Sequence, residues 1–162
     1  MSSRTEVGIE IRVHRDDSED LPRLSSLKID AVHDLAGHVL SSEGRSGGEV
    51  DIVFCGDSRI TELNREWLDR DGPTDVIAFD LFEGDDPAVV EGEVYIDITQ
   101  AERQAPEFDV TLEEEVRRLV VHGILHLIGY TDTGAPGETE RMKERQEELV
   151  AGWKIPVLEG DE

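Results

Sequence analysis

His122 and His126 stand four residues apart in the run Val121-His122-Gly123-Ile124-Leu125-His126-Leu127-Ile128-Gly129-Tyr130-Thr131-Asp132. On a helix that spacing puts both imidazoles on one face, about one turn apart. Two ring nitrogens so placed can reach one metal ion. Gly129 permits a sharp reversal through positive φ. The turn can then bring Asp132 back to the same ion as a third ligand. Two histidines and one carboxylate leave positions open for water, as in a catalytic rather than a structural site. Zinc suits these donors, as one Zn2+ ion, and nickel, cobalt, manganese or iron could also bind. A bare histidine pair at this spacing often arises by chance, but here the glycine, the aspartate and the apolar helix add to it.

The same His-x3-His-x2-Gly spacing occurs in metzincin proteases, which need Glu directly after the first histidine as general base. Gly123 occupies that place. Met142 falls in an amphipathic helix pattern and reads as core, not as a Met-turn. His33 and His38 are five apart and off-face from each other, His14 closes a strand, and Cys55 at a strand end reads as packing.

The elements that must position the pair follow from periodicity. Val7, Ile9, Ile11 and Val13 alternate as a half-buried strand. Val50 to Phe54 gives a second strand. Val76-Ile77-Ala78-Phe79 is a continuous apolar run, as in a central strand buried on both faces. Val94, Ile96 and Ile98 alternate as a fourth strand. Helical spacing runs from Leu24 to Leu40, and Asp57 or Ser58 can cap a helix through Trp67. Thr99-Gln-Ala-Glu102 and Thr111-Leu-Glu-Glu114 both fit the capping box. The second of these helices should reach about Leu127 and stop at Gly129. A last helix carries Met142, Leu149 and Val150, and Trp153, Ile155, Val157 and Leu158 are expected to pack back on the core. The expectation is an α+β fold, a single domain over residues 1–162, with a mixed four-stranded sheet and about five helices.

Composition narrows the partners. The chain has 162 residues, one cysteine and a formal net charge of -23. One cysteine excludes an internal disulfide framework and a Cys-rich zinc module. So acidic a surface disfavours a broad electrostatic grip on nucleic acid or anionic membrane. The acidic residues are spread along the chain rather than gathered in one tail. That fits adaptation to high salt, and it equally fits an ordinary acidic protein. The N-terminus shows no secretory pattern and no apolar run is long enough to span a membrane, so a cytoplasmic protein is expected.

The run from Val121 to Asp132 resembles the signature of the YbeY endoribonucleases, His-Gly-x-Leu-His-Leu-x-Gly-Tyr-x-x, where His is usual at the last position. Ile60-Thr-Glu-Leu-Asn64 followed by Pro73-Thr-Asp-Val-Ile-Ala-Phe79 resembles the family's Leu-Asn…Pro-Thr-Asp-Val-Leu-Ser-Phe segment. Gly92-Glu-Val-Tyr-Ile96 resembles its Gly-Asp-Ile-x-Ile strand. The likeness runs from about Val50 to about Val150 and keeps motif order.

The resemblance implies a metal-dependent, single-strand-specific endoribonuclease. Its work would be rRNA processing, notably 3′-end maturation of the small-subunit RNA, and ribosome quality control. The implied partners are single-stranded RNA, rRNA, the small ribosomal subunit and its assembly factors; neither DNA nor membrane is expected. His122 and His126 match the first two metal ligands, and Asp132 occupies the third position. Three departures stand out. Asp132 replaces His, Leu68 replaces an Arg linked to RNA binding or cleavage, and Ala78 replaces Ser. Arg70 is the candidate for the phosphate contact, against a solvated residue at a helix end. No general base is identified. Asp75 is conceivable, but its context also suits a strand-entry cap, which is the favoured reading, and attack by the RNA's own 2′-hydroxyl is equally open. Two other readings are an assembly factor with a mainly structural metal and, less favoured, a metalloprotease.

Overall fold

Ile9, Ile11 and Val13 are the buried residues of a strand whose other face is polar. This alternation recurs through the sheet. A computed structural model of the chain describes residues 2–4, 8–131 and 135–160. Its strands are β1 (Ser2–Arg4), β2 (Ile9–Arg15), β3 (Gly47–Cys55), β4 (Val76–Asp80) and β5 (Val89–Asp97), in the order β1-β2-β3-β5-β4. The pairs β2–β3 and β3–β5 are parallel, and β1–β2 and β4–β5 are antiparallel. The four expected strands therefore form the mixed sheet. Three residues, Ser2–Arg4, extend it at the β2 edge. Val7 lies outside the described residues.

The helices are α1 (Ile29–Ser42), α2 (Asp57–Trp67), α3 (Ile98–Glu107), α4 (Leu112–Leu127) and α5 (Glu138–Ala151). Helices α1 and α4 close the main core with the even positions of β3, among them Val50, Ile52 and Phe54. Helix α2 covers the opposite face through Ile60, which packs with Cys55 and Ile77. The run 76–79 is consequently apolar on both faces although β4 is an edge strand. Val76 and Ala78 meet the main core, and Ile77 meets the α2 side.

Three local expectations are corrected. The helical pattern from Leu24 breaks into a 3-10 turn (Pro22–Ser26) and α1, because Leu27 is extended and bridges Leu158 of the C-terminal tail. Neither Asp57 nor Ser58 caps α2. Glu19 does so from a distant loop, accepting from the Ser58 N–H at 2.9 Å. Helix α3 begins before Thr99, because Asp97 accepts from the N–H groups of Thr99 and Gln100 and so fills the N-cap role first. In the tail, Val157 and Leu158 are buried while Ile155 is exposed.

Asp97 has a second consequence. Its Oδ2 is buried without a hydrogen-bond partner, beside the Asp57 carboxylate. Burial and that neighbour push the Asp97 carboxyl up to about 8. The folded chain thus holds a proton that the unfolded chain releases near pH 4. Stability from this group is present at low pH and is lost as pH rises toward 8. Urea unfolding at about pH 5 and about pH 9 should show a smaller loss across that interval in Asp97→Asn than in the parent, since the amide keeps the cap without the charge. Equal losses in the two proteins would refute the assignment.

Candidate metal centre

Helix α4 carries both histidines, and both of its ends are built to fix them. At the start, Thr111 and Glu114 form the expected capping box, with hydrogen bonds of 3.1 and 3.0 Å. Glu113 is buried against Arg117 and accepts from the Val157 N–H at 3.0 Å, which ties the tail to α4. At the end, Gly129 has φ 109°. The Gly129 N–H donates to His126 O at 3.1 Å and the Tyr130 N–H to Leu125 O at 3.0 Å. This is a Schellman ending, the stop that the glycine predicted.

The reversal points the Tyr130 carbonyl back at the helix. His126 Nδ1 lies 3.2 Å from that oxygen. A carbonyl only accepts, so Nδ1 carries a proton, and the tautomer this selects for a neutral ring has its lone pair on Nε2. The turn is itself anchored: the Tyr130 hydroxyl donates to Glu43 at 2.8 Å, Arg145 of α5 donates to the other Glu43 oxygen at 2.6 Å, and Arg45 donates to Ile128 O at 3.2 Å.

His122 is fixed from another direction. Its Nδ1 is 2.5 Å from Oε1 of Gln146, which projects from α5 and is buried. The same tautomer follows, with the lone pair on Nε2. Burial, followed by the neighbouring His126, holds the His122 imidazole below its ordinary value and so neutral. The two rings have centroids 4.6 Å apart and stand edge to face. Neutral imidazoles with Nδ1 engaged and Nε2 as donor are what a divalent metal requires, and a hydrogen-bonded Nδ1 is the usual support. The donor chemistry of His122 and His126 therefore fits a metal. Asp132, the expected third ligand, lies outside the described residues. Among the described residues no cluster of three or more His, Cys, Asp or Glu is grouped to hold a metal ion.

Beside His122 lies a charged cluster that spacing alone did not single out. Arg118, one turn earlier on α4, donates to Glu115 through Nε at 2.9 Å and Nη2 at 2.7 Å. Glu115 is buried. Gln104 of α3 bridges Glu115 at 2.7 Å and Asp75 at 3.2 Å, and the Asp75 carboxylate is 3.8 Å from Arg118. Asp75 thus does not cap the entry of β4. Its side chain joins this cluster, and both Asp75 and Arg118 act electrostatically on His122. The i,i+4 relation of Arg118 to His122 was available in the sequence. The contributions of Gln104, Gln146 and Asp75 come from other elements and were not.

Arg70 sits on the exposed turn after α2, where its backbone N–H donates to Asn64 O at 3.0 Å. Among the described residues its side chain forms no hydrogen bond or ion pair. Cys55 is buried, its thiol pushed up by burial, and its S–H faces Ile96 O at 3.6 Å. His14 pairs with Asp51 and His38 packs on Trp153, both away from the pair on α4.

A family profile described as Endoribonuclease YbeY matches residues 15–154. A protein named Endoribonuclease YbeY from Flavobacterium psychrophilum is 38% identical over 111 residues, covering 68% of this chain and 77% of the relative. The protein of the same name from Parabacteroides distasonis is 36% identical over 134 residues, covering 83% and 91%. The solution structure of TM1509 from Thermotoga maritima is similar with a TM-score of 0.57 and 30% identity, over 88% of this chain and 91% of that one.

Proposed function

The chain belongs to the YbeY endoribonuclease family, and on that premise we propose how it cuts RNA and which RNA it cuts. It is a metal-dependent endoribonuclease that cleaves single-stranded RNA in the cytoplasm. Its substrate is rRNA, at the 3′ end of the small-subunit RNA, and it acts with the small ribosomal subunit and its assembly factors, serving ribosome quality control as well. The observation that carries the reading is the matched tautomer of the two histidines, each with Nδ1 donating and its lone pair on Nε2. No helix among the described residues is long and apolar enough to cross a membrane.

His122, His126 and Asp132 would hold one divalent ion, for which zinc is the first candidate. Such an ion polarises a phosphoryl oxygen or lowers the pKa of a water to about 7. Gln146 and the Tyr130 carbonyl keep the imidazoles oriented. Asp75 offers a carboxylate in the adjoining cluster for a proton from water or from the RNA's 2′-hydroxyl. Arg70, exposed on the turn after α2, would contact a phosphate of the RNA.

The test is cleavage of a single-stranded RNA before chelation, after it, and after zinc is restored. Activity should fall at least about tenfold on chelation and return with the metal. Undiminished cleavage by metal-free protein would overturn the reading. Leu68 in place of the family arginine, together with the acidic surface, favours one second reading: an assembly factor whose metal is mainly structural. Rescue of an rRNA-processing defect by the His126→Ala protein would select it.

A further inference from the structure

Between α4 and α5 runs a cleft of about 660 Å³ whose walls are mostly apolar. His122, Gln146 and Arg118 line it together with Phe108, Val110 and Met142. It therefore reaches His122, the first histidine of the pair. Phe108 ends α3 and keeps 56% of its surface exposed. The Arg118 guanidinium lies 5.6 Å from the centre of the Phe108 ring. Arg118 is itself fixed by the two bonds to buried Glu115.

We propose that this cleft binds one unpaired nucleobase of the RNA, next to the cleaved phosphate, by stacking on the Phe108–Arg118 step. The proposal rests on the RNA-cleaving role above and names the part of the substrate that the site grips. Charge decides why a base rather than the backbone is the handle. The Arg118 charge is already met by Glu115, with Asp75 close by. The cleft's own lining sets Glu114, Glu115 and Glu147 against Arg118 and Lys143, so it offers phosphates no net positive wall. Phosphate contacts would also be eroded by salt, whereas stacking on an aromatic face is not driven by counterion release. Base–aromatic stacking supplies roughly ten- to hundredfold in affinity per base. It also needs the base out of a duplex, which gives single-strand preference without reading sequence. The apolar walls formed by Val110 and Met142 suit a flat ring and offer little to a phosphate.

The experiment compares the full chain with Phe108→Ala and Phe108→Trp on a single-stranded RNA carrying one cleavage site. Two further RNAs lack the base on one side of that site or the other. For Phe108→Ala, KM should rise about tenfold while kcat stays within about twofold, and Phe108→Trp should match the parent. Removing the base at one flanking position should raise KM of the parent by a similar factor and add nothing in Phe108→Ala. An unchanged KM in Phe108→Ala, or a base-removal penalty of equal size in both proteins, would overturn the stacking site while leaving the nuclease role intact; a cleft used by a protein partner gives that result. Failure of the metal-loaded parent to cut any of the RNAs would end the nuclease role and this proposal together. Phe108 is exposed, and an unfolded Phe108→Ala would still leave the Trp variant and the base-removal arm, in which loss of the base without effect on the parent refutes the site.

Discussion

His126→Ala should lower cleavage of single-stranded RNA by at least about a hundredfold and leave purified protein with little bound metal, because it deletes one of the two ring donors on α4. Gln146→Ala keeps both donors and releases only the His122 ring, whose Nδ1 sits 2.5 Å from Oε1. A support of this kind is worth about ten- to hundredfold in metal affinity. Gln146→Glu still presents an acceptor and should hold the ring. The expected order of metal retention is therefore parent and Gln146→Glu, then Gln146→Ala, then His126→Ala. Metal content after dialysis and the upward shift of melting temperature on adding zinc both measure it, since a ligand of the folded state stabilises in proportion to its affinity. His126→Ala protein that retains metal and cuts RNA like the parent would remove the pair from the mechanism. Loss of cutting with metal retained would assign His126 to the chemistry and require another ligand.

The histidine pair and its helix were legible because they depend on local rules. The i,i+4 spacing, the Thr111 capping box and the Gly129 stop are each set within one turn of α4, and each stands as read. What orients the pair is not local. Gln146 is 24 residues from His122, and it reaches the ring only because α5 packs on α4. Phe108 and Asp75 arrive from α3 and from the entry of β4. A sequence pattern shows which residues share a helix face, not which residue of another element that face will meet.

The failures in the fold have the same origin. Thr99-Gln-Ala-Glu102 has the right letters for a capping box, but Asp97 lies two residues nearer the strand and takes the amides first. Leu24 to Leu40 keeps helical spacing, yet Leu27 gains more by bridging Leu158. The apolar run in β4 implied a central strand. It is an edge strand instead, whose two faces are covered by α4 and α2 rather than protected by neighbours on both sides.

Gly123 carries the second large effect, on stability. A Cβ at this position would stand 2.5 Å from Cγ1 of Val94 and 2.9 Å from Cγ2 of Val76. Both contacts are with β-branched side chains, which have little rotamer freedom to yield. Val94 is also fully buried. Gly123→Ala should therefore cost about 1–3 kcal/mol even though alanine favours a helix, because overpacking outweighs a propensity gain of about 1 kcal/mol. At about 2–4 °C per kcal/mol for a chain of this size, thermal unfolding resolves the change. Gly123→Glu adds a carboxylate aimed at the sheet, with no partner there and no line to the imidazoles. It should fail to accumulate as folded protein and should not gain peptidase activity. Gly123→Ala as stable as the parent would show that α4 can lift from the sheet at no cost. The absence of a general base after His122 then has a packing reason: the residue directly after His122 faces β4 and β5, where a side chain would meet Val76 and Val94.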